Sequence, residues 1–340
     1  MVEEAEFQRR CFRLSEYHTF IHEDSHAPRG NPPQFPRNRG LIPHRALVAF
    51  AHIMKRRSLF TMIPAASVLL ALRSKGAPIP QEAVTAAGFG ITVQCWSLKE
   101  FSLFEAIQMA AAAGAGGVEL FSGHKLGGDH GDAKLEPGMP EDKLQALIEH
   151  IKANHISAQS LGVIPIPNDE AKARAIFELG KKLGLYSINT ESIDSIDLIE
   201  KLAAEYDIKV GFHNHPKKPS YKMWDPDFVF NSVKDRHANV GICADVGHWA
   251  TSGLNPLEVI KKIAPRVRSF HMKDRESIDK WSHDRPFGTG VIDNVAILDE
   301  VRKQGFKGNV SIEYEHNWKS NLPEIAQCVG YLRAYSKIRA

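Results

Sequence analysis

The most chemistry in this chain of 340 residues is concentrated in Val240-Gly-Ile-Cys-Ala-Asp245-Val-Gly-His248-Trp249. Its apolar run with a β-branched start reads as a buried strand. The run ends by presenting Asp245 and, three residues on, His248, where the strand gives way to a loop. A hard carboxylate and an imidazole leaving one strand end are the donors of a divalent-metal site or of an acid/base site. Alone, Asp-x-x-His describes a helix-capping aspartate and a surface histidine equally well. Its recurrence carries the argument. Glu119, Glu191, His213-Asn-His215, His271-Met-Lys273-Asp274 and Glu313-Tyr-Glu315 also close short apolar runs.

The elements that must position these residues begin at residue 90. Strands are expected at 91–96, 117–121, 156–162, 186–191, 208–213, 240–245, 267–272 and 309–314. Amphipathic helices are expected at 103–114, 141–154, 169–183, 195–206, 226–235, 256–263, 293–304 and 321–337. Pro140-Glu-Asp and Asn168-Asp-Glu open the second and third helices, and Gly184 and Gly305 close the third and seventh. Eight β/α units in this length specify an α/β fold, the (β/α)8 TIM barrel. An open doubly wound sheet would want a Gly-rich phosphate turn after its first strand, and Cys95-Trp-Ser-Leu98 stands there instead.

In a barrel the carboxyl ends of all eight strands meet on one face. The carboxylates listed above would then repel each other in a recess unless a cation sat among them. Glu191, Asp245, His271 and Glu313 offer three oxygens and one nitrogen, which suits one divalent metal: Mn, Mg, Co or a catalytic Zn. Glu313 is preferred over Glu315, which shares its face but lies further into the loop. Glu119, His213, His215 and Lys273 are the candidate substrate contacts. The two histidines read equally as structural, and Lys273 either meets a substrate oxyanion or pairs with Asp274. Trp96 and Trp249 are candidates for stacking on a sugar ring or for packing. Gly288-Thr-Gly290 reads as a plain turn rather than a phosphate grip.

Thr190-Glu191, Ala244-Asp245-Val-Gly-His248, Phe270-His271-Met-Lys-Asp274 and Ser311-Ile-Glu313 resemble the xylose-isomerase-like sugar isomerase/epimerase superfamily. The resemblance spans about 90–337. It implies a metal held by Glu191, Asp245, His271 and Glu313, with Glu191 and Glu313 as the acid/base pair. It also implies that His248 holds a substrate oxygen. The expected activity is isomerisation or epimerisation of a carbohydrate by proton transfer beside a carbonyl, through an enediolate. The same proton abstraction would serve an exported lyase or hydratase acting on 3-keto-glycosides. Apurinic-site endonucleases share the fold, but they need histidines at the ends of strands 2 and 3. Glu119-Leu-Phe and Gln159-Ser-Leu stand at those places.

Charge argues against a nucleic-acid partner. Residues 1–86 hold 12 Lys/Arg against 7 Asp/Glu, whereas the remainder holds 31 against 33. A small-molecule carbohydrate is the expected partner, and a homo-oligomer stays open. Cys11, Cys95, Cys243 and Cys328 show no paired spacing, so buried thiols are expected rather than a disulfide framework. Residues 1–53, with the run Ala27-Pro-Arg-Gly-Asn-Pro-Pro, read as a disordered or over-extended leader. Met54-Lys-Arg-Arg followed by the apolar stretch 59–72 reads as a signal peptide of twin-arginine type over 54–86. That stretch is short of the ~20 residues a membrane span needs. The barrel would occupy 87–340. With Met54 as the start, the protein is expected to be exported to the periplasm or outside the cell; otherwise it is cytoplasmic.

Overall fold

Eight parallel strands close into a barrel in strict sequence order. They are β1 (Gly90–Gln94), β2 (Gly117–Leu120), β3 (Ser157–Leu161), β4 (Ser187–Thr190), β5 (Lys209–His213), β6 (Val240–Asp245), β7 (Val267–Met272) and β8 (Asn309–Ile312). β8 returns to pair with β1 from Gly90↔Asn309 to Val93↔Ile312. These features come from a computed structural model that describes residues 84–340. The leader reading and the basic and apolar parts of the export signal lie outside the described residues.

The outer layer comprises α1 (Leu103–Ala112), α2 (Glu141–Ala153), α3 (Glu170–Leu183), α4 (Ile196–Tyr206), α5 (Pro226–Val233), α6 (Val246–Thr251), α7 (Pro256–Ile263), α8 (Asn294–Lys303) and α9 (Leu322–Ile338). Local chemistry explains their ends. Ser102 and Glu105 form a reciprocal capping box on α1, and the Asp169 carboxylate caps α3. Gly184 closes α3 at φ 69°, a left-handed conformation that costs glycine little. Eight of these helices match the expected ones. The ninth, α6, was not anticipated, because six residues directly after β6 are too few to show a helical period.

The strands sort their side chains by alternation. Outward-facing Val210, Phe212, Phe270, Met272, Val310 and Ile312 are buried under the helices. The lumen is polar, unlike the branched aliphatic layers usual in such barrels. Ser269 Oγ donates to Asn189 Oδ1 at 2.7 Å, and Asn189 Nδ2 donates to Glu119 Oε1 at 2.8 Å. Thr92 and Ser311 share a hydroxyl bond of 2.7 Å, and Asn309 Nδ2 reaches both Ser160 Oγ and Ser311 Oγ. Buried polar groups that satisfy one another in this way fix a unique geometry beneath the strand ends.

Val84 forms an antiparallel bridge with Gly90, Ala87 N donates to Ser336 Oγ at 2.9 Å, and Phe89 is fully buried. Cys95, Cys243 and Cys328 are free and buried, as expected. No helix among the described residues is long and apolar enough to cross a membrane.

Candidate active site

The site is assembled at the carboxyl ends of β2 and β4–β8. Asp245, the last residue of β6, does two jobs at once. Its Oδ1 accepts the backbone N–H of His248 at 2.7 Å and so caps α6. Its Oδ2 faces the recess, 2.7 Å from Lys273 Nζ and 3.5 Å from Nε2 of both His213 and His248. Asp245 thus caps a helix with one oxygen and turns the other into the recess. Asn214, between the two histidines of the β5 end, locks β5 to β6 by accepting from Asp245 N and donating to Asp245 O, each at 3.0 Å.

His213, Asp245, His271 and Glu313 bring one donor atom each to within 4.8 Å of one another, and all four are buried. His213 Nε2 and His271 Nδ1 are enclosed and make no well-aligned hydrogen bond; each faces a carboxylate, Asp245 Oδ2 at 3.5 Å and Glu313 Oε2 at 2.9 Å. Their other nitrogens are tied back to carboxylates. His213 Nδ1 lies 2.9 Å from Glu191 Oε1, and His271 Nε2 lies 2.8 Å from Glu119 Oε1. Backing a metal-binding imidazole with a carboxylate fixes its orientation and strengthens its free nitrogen as a donor. Two such pairs aimed at two carboxylates fit a divalent cation, with two nitrogen and two oxygen donors.

The charges are consistent with that fit. Burial would raise the pKa of Asp245, but the Lys273 ammonium and the His213 ring hold it well below its ordinary value. Burial acts the same way on Glu313, and Lys273 and His271 overcome it. For Glu191 the opposing groups are His213 and His215, and its carboxyl lies far below the usual range. Burial would lower His271, yet Glu119 and Glu313 push it well above an ordinary imidazole. His248 is the exception: burial dominates, with Lys273 and His213 adding to it, and the ring stays neutral.

Several residues sit elsewhere than the sequence suggested. Glu119 is not at the substrate face; it is wholly buried beneath the His271 ring, with Asn189, His271 and Ser311 all bonded to its carboxylate. Glu191 is one position further out than the tightest donor set, bonded to His213 and His215. His213 occupies its place because it ends β5 pointing into the recess, whereas Glu191 follows β4 by one residue. Lys273 does not pair with Asp274, since neighbouring residues of a strand end point opposite ways. Its ammonium bonds Asp245 and Glu313 instead. Asp274 accepts the N–H groups of Gly288, Gly290 and Ile292, so the Gly288-Thr-Gly290 turn grips an anion supplied by the chain itself. Trp249 is buried, while Trp96 is at the rim with its indole N–H 3.3 Å from Glu315 Oε1.

His215 is half exposed and stacks on His248 at 5.0 Å between ring centroids. Two partners were not anticipated. Arg275 is buried with Nη1 3.1 Å from Asp284 Oδ1 and Nη2 3.4 Å from His248 Nδ1. Tyr221 Oη accepts His215 N at 2.8 Å. Arg275 directly follows the His-Met-Lys-Asp run, which was the available signal for it; Tyr221 and Asp284 lie in loops without periodicity.

A closed eight-stranded parallel barrel with alternating helices is a TIM barrel. Residues 187–335 match the family model described as a xylose isomerase-like TIM barrel, in line with the resemblance read from the motifs. Among curated proteins, the inosose dehydratase of Clostridium botulinum (strain Alaska E43 / Type E3) is 27% identical over 179 residues, covering 46% of this chain and 58% of that protein. The chain spans about half the length of the first curated relatives it matches. A D-tagatose 3-epimerase-like protein superposes with a TM-score of 0.57 at 19% identity, covering 73% of this chain and 97% of that one. The IolI protein with a bound zinc atom gives 0.55 at 19% identity, covering 74% and 99%. These two likenesses establish the fold.

Proposed function

We propose that this protein is a divalent-metal-dependent carbohydrate isomerase or epimerase that moves a proton at the carbon beside a carbonyl. The observation that carries the reading is the convergence of two buried imidazole nitrogens, His213 Nε2 and His271 Nδ1, with the carboxylates of Asp245 and Glu313. A cation held by these four donors supplies Lewis acidity toward a carbonyl and its neighbouring hydroxyl. The chain's own groups do the rest. Glu191, partly exposed and kept ionised by His213 and His215, takes the proton from one side of the substrate. Glu313, one residue beyond β8, faces the recess and delivers a proton drawn from solvent to the other side, while Glu191 releases the one it took to solvent. Neutral His248, with Arg275 beside its Nδ1, directs its Nε2 toward the recess to hold a substrate oxygen.

The donor geometry leaves two roles for Glu191, ligand or base, and one experiment separates them. Glu191→Gln with metal retained and turnover reduced at least ~10²-fold marks a general base. Loss of metal in the same variant marks a ligand. Deuterium incorporated from D₂O into keto- and aldo-sugars with their substituents intact is the expected product signature. No solvent label in any product refutes proton transfer.

A lyase reading is favoured by two further observations. The curated relatives include inosose dehydratases, and the His215–His248 stack adjoins Glu191, where a leaving hydroxyl would need a proton. Loss of water or an aglycone, read by mass spectrometry, distinguishes it.

A further inference from the structure

Lys273 has no role in the proton-transfer scheme, yet it lies at the centre of the site. Its side chain is fully buried. Nζ is 2.7 Å from Asp245 Oδ2 and also bonds Glu313 Oε2. Those two oxygens are also the ones that face the recess-side histidine nitrogens. Asp245 Oδ2 is 3.5 Å from His213 Nε2, and Glu313 Oε2 is 2.9 Å from His271 Nδ1. A divalent ion bonded to these oxygens at the usual ~2.0–2.2 Å would press directly against the ammonium. Two cations cannot share that space without strong repulsion.

We propose that Lys273 is a resident cation of the site, which holds the Asp245 and Glu313 oxygens in the metal-free protein and moves to Glu315 when a divalent ion enters. The inference rests on the metal reading above. Two features support it. Glu315 Oε2 is a buried carboxylate oxygen without a hydrogen-bond partner, 3.6 Å from Lys273 Nζ and 3.8 Å from Arg275 Nη2. It is therefore an acceptor within one swing of the ammonium. The lysine stem is held in a slot against Gly247, where an added Cβ would come within 2.6 Å of Cδ and 2.7 Å of Cβ. Movement is thus confined to the far end of the side chain. The resident charge explains how several buried carboxylates can coexist before a metal arrives.

Lys273→Met keeps the length and the stem while removing the charge. Metal-free wild-type protein and variants are titrated with Co²⁺ alone at one fixed pH by calorimetry. Removing a cation that the ion must displace should tighten Co²⁺ binding at least ~10-fold. Glu315→Gln, which removes the landing carboxylate, should weaken it by about the same factor. Adding a chelator should lower the melting temperature of Lys273→Met more than that of wild type, because Asp245 and Glu313 then lose both the metal and the ammonium between them. If the Met variant does not fold, Lys273→Gln is titrated instead. Co²⁺ binding by wild type with no gain in a folded charge-removal variant overturns this inference and leaves the metal reading standing. Absence of Co²⁺ binding in wild type and all variants overturns both.

Discussion

Glu119→Gln tests how His271 is held. Glu119 Oε1 accepts from Asn189 Nδ2 and His271 Nε2 at 2.8 Å each, and Oε2 accepts from Ser311 Oγ. A glutamine can keep its oxygen toward the first two. Its NH2 must then face Ser311 Oγ, which already receives Asn309 Nδ2 at 3.0 Å and pairs with Thr92 at 2.7 Å. Replacing charge-assisted bonds of about 1.5–3 kcal/mol with neutral ones of about 0.5–1.5 should cost roughly 1–2 kcal/mol of stability. The larger effect is on the site. A metal-binding histidine that loses its supporting carboxylate typically loses about 10–100-fold in metal affinity, equivalent to about 1.4–2.7 kcal/mol. Competition of the metal-free protein against a chromophoric chelator measures that ratio, and melting curves in excess chelator show whether the variant is folded. Ser311→Ala should have a smaller effect, because it leaves the His271 bond intact. A folded Glu119→Gln variant with wild-type metal affinity would refute the positioning role.

Asp245→Asn or His271→Ala should abolish stoichiometric metal in elemental analysis while circular dichroism still shows the barrel; full retention in both would remove them from the ligand set. Gly247→Ala drives a Cβ into the Lys273 stem and should destabilise by about 1–3 kcal/mol, as overpacking does; an unchanged denaturation midpoint contradicts the packing. Burial raises the Asp284 carboxyl to about 7 against the pull of Arg275 and Lys273. Native protein then binds a proton that unfolded protein has released, so stability should fall as pH rises from about 4 to 7, by at most ~1.4 kcal/mol per unit, and level off above. Urea titrations of wild type and Asp284→Asn across that range should show the slope only in wild type. For the export proposal, mass spectrometry of native protein should find a start between about residues 76 and 84, since Val84 and Phe89 pack into the folded body; an intact residue 1 or 54 on most molecules refutes it.

The sequence alone determined the barrel and the face on which the site stands. Strand spans and helix spans are local properties, set by apolar period and by caps such as Ser102, Asp169 and Gly184. Because each strand end is a position in the chain, a run such as Phe270-His271-Met-Lys273 also tells which side chains share the lumen. The sequence could not supply distances between side chains from different strands. Asp245, His271 and Glu313 converge with His213 rather than with Glu191 because His213 lies one step deeper at its strand end, and only the closed barrel compares those depths. Glu119 reads from sequence as one more strand-end carboxylate; the polar lumen, built from residues up to 192 positions away, turns it into the support of His271. Lys273 could have reached Asp274, a substrate or the site centre by its own length. Its partners were decided by where β6 and β8 deliver Asp245 and Glu313, since electrostatic pairing depends on separation in space and not along the chain.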